Sequence, residues 1–186
     1  ENPERDDHIM HQCQDSRHCV IEFITQCHVN DHSGKSQQNR QYGIPGHLLA
    51  DHSADDDTLT VGGLEFGMSI CYDLRFPVWS RNPAATPESG GYDLLIYVAN
   101  WPERRSHHWR ALLPARAIEN QCYVAAVNIV GADGNGYDYR GDSGIVDFSG
   151  QKICQISGRE GQFTTELSLE DLHQFRRQLP FLEDAD

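Results

Sequence analysis

The sequence predicts an α/β fold of the layered (α+β) type, because strand-like and helix-like patterns alternate and are then followed by hairpins. Two apolar runs, 64–70 and 92–99, are typical of strands, and the second is so continuous that both of its faces must be covered. Residues 105–121 carry large apolar side chains at helical spacing. The chain has 186 residues, which is enough for one domain with a substantial core.

The regular part of the chain begins with a predicted hairpin over 59–70, which turns at a Gly-Gly pair. The buried strand 92–99 follows. The helix predicted over 105–121 has one apolar face, and Pro114 is expected to kink it. The apolar run 122–130 predicts another buried strand, so strands and a helix alternate through the middle of the chain.

The last third of the chain predicts turns and a terminal helix. Residues 131–142 are rich in Gly and Asp, which favours a loop. Two short apolar runs within 144–156 flank a Ser-Gly turn and predict a hairpin. Ser168 followed by Asp171 is typical of a helix N-terminus, and the helix is expected to extend to about Gln178.

The N-terminal part, 1–57, differs from the rest in composition. It holds most of the histidines and half of the cysteines, with one convincing apolar stretch at 20–24. We expect it to be a divergent region of loop, weak strand or partial disorder, attached to the regular part, 58–186, within one domain overall. Its His and Cys spacing fits no zinc pattern, so a solvated arm is favoured over a metal site.

Charge narrows the classes of function. The 28 acidic and 15 basic side chains give a net charge of −13, which repels phosphate backbones and argues against nucleic-acid binding. No run of 18 apolar residues predicts a membrane span, and no basic-then-apolar leader opens the chain. Cys71 and Cys122 lie where apolar strands meet turns, which suits reduced thiols, so we expect a cytoplasmic protein.

The chemistry that the sequence predicts is concentrated at Cys71. This thiol follows the apolar run 64–70, and polar residues follow it, so it is expected at the rim of the sheet, where ligands of open α/β sheets bind. Backbone N–H groups in such a turn stabilise a developing oxyanion, and a nearby base or cation converts the thiol to a nucleophilic thiolate. The alternative is a buried cysteine that acts as a small apolar side chain.

Several segments in register resemble the nitrilase superfamily, the carbon–nitrogen hydrolases. The segment around Cys71 that carries the resemblance is GMSICYDLRFPVWSR, at residues 67–81. Further matching segments, in order along the chain, are YVANWP at 97–102, ARAIENQ at 115–121, DGNG at 133–136, YRGDS at 139–143, ELSL at 166–169 and PFLEDAD at 180–186. The resemblance covers about 62–186 and is closest to the omega-amidase branch.

The resemblance implies a four-layer αββα sandwich with a Glu–Lys–Cys catalytic centre. In this chain we expect the N-terminal half of that sandwich to be shortened or divergent. Cys71 would attack the side-chain amide of a small dicarboxylic acid monoamide, such as 2-oxoglutaramate or 2-oxosuccinamate. Ammonia would leave, and water would hydrolyse the resulting thioester. The backbone N–H of Tyr72 would stabilise the oxyanion. The family needs no cofactor or metal, and it implies a homodimer.

The candidates for the basic and the acidic partner of Cys71 each have two interpretations. Lys35 is the one lysine upstream of Cys71, and it is either the oxyanion-stabilising lysine or a turn residue. In the second reading, His47 aligns with a family motif and Pro45 takes the position of the lysine. Glu22, within the apolar stretch 20–24, is either the general base or an ordinary polar residue that flanks a strand.

Four other side chains are candidates for the pocket or its support. Trp101 lines the pocket or packs in the core. Arg75 pairs with a substrate carboxylate or with a structural acid such as Asp73 or Glu119. In the family reading, Glu119 supports the site rather than acting as its base. His107 and His108 are expected at the rim of the site or in solvent, without a ligand role.

The alternative to an amidase is a non-catalytic binding or assembly protein with the same fold. An isolated thiol without a base and a cation is a poor amidase, so the identity of these two partners separates the hypotheses.

Overall fold

A computed structural model of the chain describes residues 12–15, 18–25, 59–61, 64–83 and 91–184, the first three ranges as backbone only. In these residues the central element is a mixed sheet of seven strands. Its parallel centre consists of β4 (Leu64–Ile70), β5 (Leu94–Ala99) and β6 (Tyr123–Asn128). Antiparallel strands complete it: β3 (Leu59–Val61) beside β4, β8 (Asp138–Val146) beside β6, and β7 (Val130–Ala132) and β9 (Lys152–Ser157), which both pair with β8.

A second, antiparallel sheet joins the two ends of the chain. It consists of β1 (Gln12–Asp15), β2 (His18–Thr25) and β10 (Gly161–Ser168), with β2 in the middle. The strand β2 pairs with β10 over its whole length, from His18 opposite Ser168 to Thr25 opposite Gly161. Part of the N-terminal region is therefore a strand of the folded body, and this strand contains the apolar stretch at 20–24.

Helices cover the central sheet on both faces. The helix α1 (Ser106–Asn120) packs Trp109, Leu113 and Ala117 against one face, together with Leu95 and other residues of β5 and β6. On the other face, Leu167 of β10 and two residues of α2 (Leu169–Gln178) pack against β4, β5, β6 and β8. The layered α/β architecture predicted from the sequence is thus confirmed, because both faces of the parallel strands are buried.

Most predicted elements lie where the patterns place them. The hairpin over 59–70 forms as β3 and β4, and the strands over 92–99 and 122–130 contain β5 and β6. The helix α1 continues through Pro114, so the proline does not end it. The helix α2 begins after Ser168, whose hydroxyl accepts a hydrogen bond of 3.1 Å from the N–H of Asp171.

Two predictions about the last third were wrong or incomplete. The loop expected over 131–142 is a hairpin, in which β7 pairs with the start of β8. The Asp133 carboxylate holds its turn by accepting hydrogen bonds of 2.9 Å from the N–H groups of Asn135 and Tyr137. Main-chain pairing of this kind needs no apolar alternation, so the composition favoured a loop instead. The strand β10 was not predicted either.

Candidate active site

Cys71 lies at the point where β4 ends and the chain turns. Its φ is +44°, in the left-handed region, and a short 3-10 helix over Cys71–Arg75 begins there. The turn is held by Asp73, whose carboxylate accepts a hydrogen bond of 2.8 Å from the N–H of Ile70. A non-glycine residue in this conformation costs about 1–2 kcal/mol, and such strain persists only where the surroundings enforce it. The turn therefore presents the Cys71 side chain at the edge of the sheet.

The turn is anchored to helix α1 by a buried cation. Arg116 is 3% exposed and donates a hydrogen bond of 2.7 Å to the carbonyl of Leu74. A second bond of 2.8 Å joins its guanidinium to the Glu119 carboxylate. Glu119 thus reaches the site through Arg116, which agrees with a supporting position for it rather than with a place in the pocket.

A pocket of about 370 Å³ opens beside the thiol and is within the size range of small-molecule sites. Its lining residues, from the turn after β4 and the segment after β5, are Cys71, Tyr72, Arg75, Trp101, Pro102 and Arg105. These segments meet because β4 and β5 are parallel neighbours, with Ile70 opposite Val98, so both end at the same edge. Four of the residues singled out in the sequence are therefore brought together.

Trp101 forms a wall of this pocket and also belongs to the core. Its side chain is 3% exposed, and its indole N–H donates a hydrogen bond of 2.8 Å to the carbonyl of Arg105. The amide side chain of Asn128 clamps its backbone. Asn128 Oδ1 accepts from the Trp101 N–H at 2.7 Å, and Asn128 Nδ2 donates to the Trp101 carbonyl at 3.1 Å. Trp101 therefore lines the pocket and is also packed in the core.

Arg75 stacks on this wall. Its guanidinium carbon lies 4.7 Å from the centre of the Trp101 ring and 5.9 Å from that of Tyr72. Its Nη2 lies 3.1 Å from Nδ1 of His108. Within the described residues its contacts are with aromatic rings and a histidine, and Glu119 is paired with Arg116 instead. A guanidinium held in this way offers donors to an anion in the pocket.

The surroundings of the Cys71 thiol have opposing effects on its charge. Burial raises the pKa of Cys71 above its ordinary value, and the Asp73 carboxylate adds to this. A hydrogen bond from the backbone of Asn100 and the charges of Arg105 and Arg75 act in the opposite direction but do not cancel the rise. In the described surroundings the thiol is therefore mainly protonated at neutral pH, so nucleophilic attack needs a base.

The two remaining candidates are not among the described residues that line the pocket. Glu22 lies on β2 opposite Thr164 of β10, in the smaller sheet, and only its backbone is described. Lys35 lies outside the described residues, and so do Pro45 and His47. Among the described lining residues there is no carboxylate and no lysine. The roles of Glu22 and Lys35 stay predictions.

Three residues of the site were not singled out from the sequence: Pro102, Arg105 and Asn128. Pro102 and Arg105 follow β5, and Asn128 ends β6. Their positions in the sequence could have indicated them, because polar and turn residues that directly follow parallel strands lie at the same edge of the sheet. His108 was expected at the rim, and it contacts Arg75 there.

Within the described ranges, no three His, Cys, Asp or Glu side chains come together as a metal site. Most of the His/Cys-rich N-terminal arm lies outside those ranges. A membrane-crossing helix of sufficient length and apolar character is absent from the part of the chain that the structure describes.

Comparison with known proteins identifies the family. The sequence model described as Carbon-nitrogen hydrolase matches residues 23–177, most of the chain, and the chain therefore belongs to the carbon–nitrogen hydrolase family. The match begins directly after Glu22 and includes Lys35. It therefore extends the similarity upstream of about residue 62, where the resemblance noted in the sequence begins.

Three similar proteins illustrate the relationship. "Omega-amidase YafV" of Escherichia coli (strain K12) is 52% identical over 118 residues, which are 63% of this chain and 44% of that protein. "2-oxoglutaramate amidase" of Bacillus subtilis (strain 168) is 35% identical over 138 residues, 74% of this chain and 51% of that protein. The crystal structure of XC1258 from Xanthomonas campestris, a CN-hydrolase superfamily protein with an arsenic adduct in its active site, aligns with a TM-score of 0.67 and 44% identity, covering 69% of this chain and 49% of that one. The chain spans about half the length of these relatives.

Proposed function

We propose that this protein is an amidase that hydrolyses the side-chain amide of a small dicarboxylic acid monoamide, of the 2-oxoglutaramate or 2-oxosuccinamate type. The observation that carries the proposal is the position of the Cys71 thiol, at a strained strand end, in one pocket with Arg75 and Arg105. A substrate with an amide at one end and a carboxylate at the other matches a nucleophile beside cationic groups. The names of the two amidase relatives support this substrate class.

The reaction that we propose begins with attack of Cys71 Sγ on the amide carbon. The C–S bond forms, and the carbonyl electrons move to oxygen, where the Tyr72 N–H and Lys35 donate to the oxyanion. Glu22 accepts the thiol proton and returns it to the nitrogen, so that the C–N bond breaks and ammonia leaves. Water then attacks the thioester and Glu22 takes one of its protons; the C–S bond breaks to release the dicarboxylate, and that proton passes from Glu22 to Sγ, which restores the thiol and the ionised Glu22.

The raised pKa of Cys71 explains why this scheme needs a base from outside the described lining. A thiol that is mainly protonated at neutral pH is a weak nucleophile until a neighbouring group removes its proton. Assigning that task to Glu22, and the oxyanion to Lys35, is the part of the proposal that depends most on the family resemblance.

The test is ammonia release from 2-oxoglutaramate by the full chain. We expect Cys71→Ala to lower the rate by about a thousandfold or more, as removal of a nucleophile does. Cys154→Ala is the matched control, since Cys154 lies on β9, outside the pocket lining. Acid quenching followed by mass spectrometry of the peptide with Cys71 should detect the acyl group of the thioester. Folded protein that neither releases ammonia nor carries this acyl group would contradict the proposal.

A second candidate is a non-catalytic protein that binds small carboxylates in the same pocket. The observation in its favour is the raised pKa of Cys71 together with described lining residues that include neither a carboxylate nor a lysine. It predicts that 2-oxoglutarate binds to the wild type and to Cys71→Ala equally well, without turnover of the amide. Calorimetric titration of both proteins separates the two candidates.

Assembly and location are part of the proposal. The family resemblance implies a homodimer, which light scattering after size-exclusion chromatography would measure as a mass of about twice 21.0 kDa. A cytoplasmic location is proposed because Cys71 and Cys122 are free thiols. Fractionation of cells that express the protein tests it.

A further inference from the structure

Among the described residues, His108 touches the site through one polar contact. It lies in the first turn of α1 and is half-buried, and its Nδ1 is 3.1 Å from Nη2 of Arg75, which is 33 residues earlier in the chain. An arginine carries N–H donors and no acceptor. The contact is therefore a hydrogen bond only when Nδ1 of His108 has a free lone pair, that is, when the imidazole is neutral with its proton on Nε2.

This contact fixes the direction of a flexible side chain. The guanidinium of Arg75 lies with its carbon 4.7 Å from the centre of the Trp101 ring, which restrains it on one side. Stacking on a ring allows rotation and sliding in the plane, whereas a hydrogen bond to His108 occupies one donor and sets the orientation of the others. The remaining N–H groups are then free to point at a ligand in the Cys71 pocket.

We infer that neutral His108 is a positioning residue, which holds the Arg75 guanidinium so that it binds the carboxylate of a ligand whose other end lies at Cys71. The inference rests on the proposed function for the kind of ligand, a small molecule with a carboxylate. It does not depend on turnover, because it concerns recognition of an anion beside the thiol.

The charges around His108 agree with a neutral ring. Partial burial, the neighbouring His107 ring at 4.1 Å and the cations Arg75 and Arg105 together hold the pKa of His108 below its ordinary value. No carboxylate is among these described neighbours. When the pH falls through that lowered pKa, a proton on Nδ1 faces the N–H of Arg75, the hydrogen bond is lost and two positive charges repel. Anion recognition should then weaken on the acid side.

Alkylation of Cys71 by two reagents tests this without requiring amidase activity. Iodoacetate carries a carboxylate and iodoacetamide is its neutral analogue, and both transfer the same-sized group to sulfur with loss of iodide. The ratio of the two rates cancels the thiolate fraction and reports anion recognition at the pocket. Tryptic peptides isolate the sites, because 41–75 contains Cys71 and 153–159 contains Cys154 as their only cysteines, and in Arg75→Gln the Cys71 peptide extends to Arg81 without a further cysteine.

At pH 8 we expect the iodoacetate-to-iodoacetamide ratio to be higher at Cys71 than at Cys154 in the wild type. His108→Ala and Arg75→Gln should each lower the Cys71 ratio by about tenfold, the size expected for losing an oriented charged hydrogen bond. His108→Asn should retain most of it, since an asparagine oxygen replaces Nδ1 as an acceptor. His107→Ala is the matched control, because it removes the neighbouring ring but not the contact with Arg75, and its ratio should equal that of the wild type.

The pH profile supplies a readout that a purely structural role would not change. The wild-type ratio should fall as the pH is lowered through the pKa of His108, and the ratio of His108→Asn should stay constant over the same range. An unchanged ratio in His108→Ala would overturn the inference. So would an equal loss in His108→Asn and His108→Ala. Failure of ammonia release with the expected ratios would contradict the proposed amidase function alone.

Discussion

Arg116, on helix α1, donates a 2.7 Å hydrogen bond to the carbonyl of Leu74, three residues after the candidate nucleophile. Leu74 itself is fully buried, so this end of the turn is fixed both by packing and by a cation. The helix α1, which follows β5, therefore holds the turn that follows β4. We infer that this bond, together with the bond from the Ile70 N–H to the Asp73 carboxylate, supports the left-handed backbone at Cys71.

Replacement of Arg116 by methionine tests this support. The variant keeps most of the side-chain volume but leaves the buried Leu74 carbonyl without its donor, which should cost about 2 kcal/mol of unfolding free energy. Urea denaturation measures the loss, and faster hydrogen exchange in residues 71–75 should accompany it. Glu119→Gln is the comparison: a glutamine oxygen can keep the hydrogen bond to the Arg116 guanidinium, and the Glu119 side of the pair is 40% exposed, so its loss should be smaller than that of Arg116→Met. A loss as large in Glu119→Gln would show that the ion pair, not the bond to Leu74, stabilises the turn.

The strain at Cys71 predicts that glycine is favourable for stability at this position, although it removes the reactive thiol. Its φ of +44° suits glycine, which has no Cβ to clash. Cys71→Gly should therefore be more stable than Cys71→Ala by about 1 kcal/mol, although neither variant can be alkylated at this position. Thermal or urea unfolding of the two variants gives the difference.

Cys154 provides the comparison for this pair. It lies within the strand β9, where the backbone is extended and glycine is unfavourable. Cys154→Gly should be less stable than Cys154→Ala by about 0.5–1 kcal/mol. If glycine were the less stable choice at both positions, the turn at Cys71 would not be strained in the native protein.

Sequence patterns within short segments predicted most of the strands and helices, and they also predicted that Cys71 follows the end of a strand. An apolar alternation that stops at a polar residue locates a strand end, and a Gly-Gly pair locates the hairpin before it. The contacts that build the pocket join distant residues. Asn128 clamps Trp101 across 27 residues, and His108 meets Arg75 across 33. No periodicity marks such pairs, because they depend on which strands become neighbours.

The N-terminal strand β2 shows that local patterns also fail to predict which strands pair in the fold. The apolar stretch within β2 indicated a strand, but its partner β10 lies about 140 residues further along the chain. That partner was not predicted, and without it the N-terminal region had no place in the sheet structure. The family match overlaps both strands, since it begins at residue 23, within β2, and continues through β10, but the pairing itself is seen only in the structure.

A buried ion pair at the other end of the sheet should control acid stability. Asp93 is buried, which raises the pKa of its carboxyl, but the His173 ring, whose Nε2 lies 3.6 Å from Asp93 Oδ1, and the charge of Arg176 outweigh this and lower the pKa below its ordinary value. Arg176 reaches Asp93 Oδ1 at 2.8 Å and also donates to the carbonyls of Tyr92 and Gln121. It thereby fastens α2 to the strand edge.

Because the folded pKa of Asp93 is depressed, its contribution to stability is present above the unfolded value of about 4 and is lost as the pH falls through the folded value. Arg176→Met leaves this carboxylate buried without its cation, so we expect a loss of about 3 kcal/mol at pH 7. The gap to the wild type should narrow as the pH falls below about 4 and through the depressed folded pKa of Asp93, where its carboxyl becomes neutral. Urea denaturation at a series of pH values measures both effects. Arg177→Met, at an exposed neighbouring position, should change stability by less than about 0.5 kcal/mol at every pH.

The strands β8 and β9 leave no room for a side chain at Gly144. A Cβ at this position would lie 2.4 Å from the carbonyl oxygen of Cys154 and 3.2 Å from the Cα of Gln155, both backbone atoms of β9 that cannot turn aside. Gly144→Ala should therefore force β8 and β9 apart and cost about 2–3 kcal/mol. Gly134→Ala is the control, because a Cβ there meets nothing within 4 Å, and it should be neutral within about 0.5 kcal/mol.

This substitution should also reach the pocket. Ser143, next to Gly144, exchanges hydrogen bonds of 2.9 and 3.1 Å with the backbone of Asn128, the residue that clamps Trp101. A shift of β8 should disturb this clamp, so the tryptophan fluorescence of Gly144→Ala should change while that of Gly134→Ala does not. Unchanged fluorescence in a destabilised Gly144→Ala would mean that β6 holds Trp101 without help from β8. A fully stable Gly144→Ala would mean that the two strands separate without loss, and the tight β8–β9 contact would then contribute nothing to the fold.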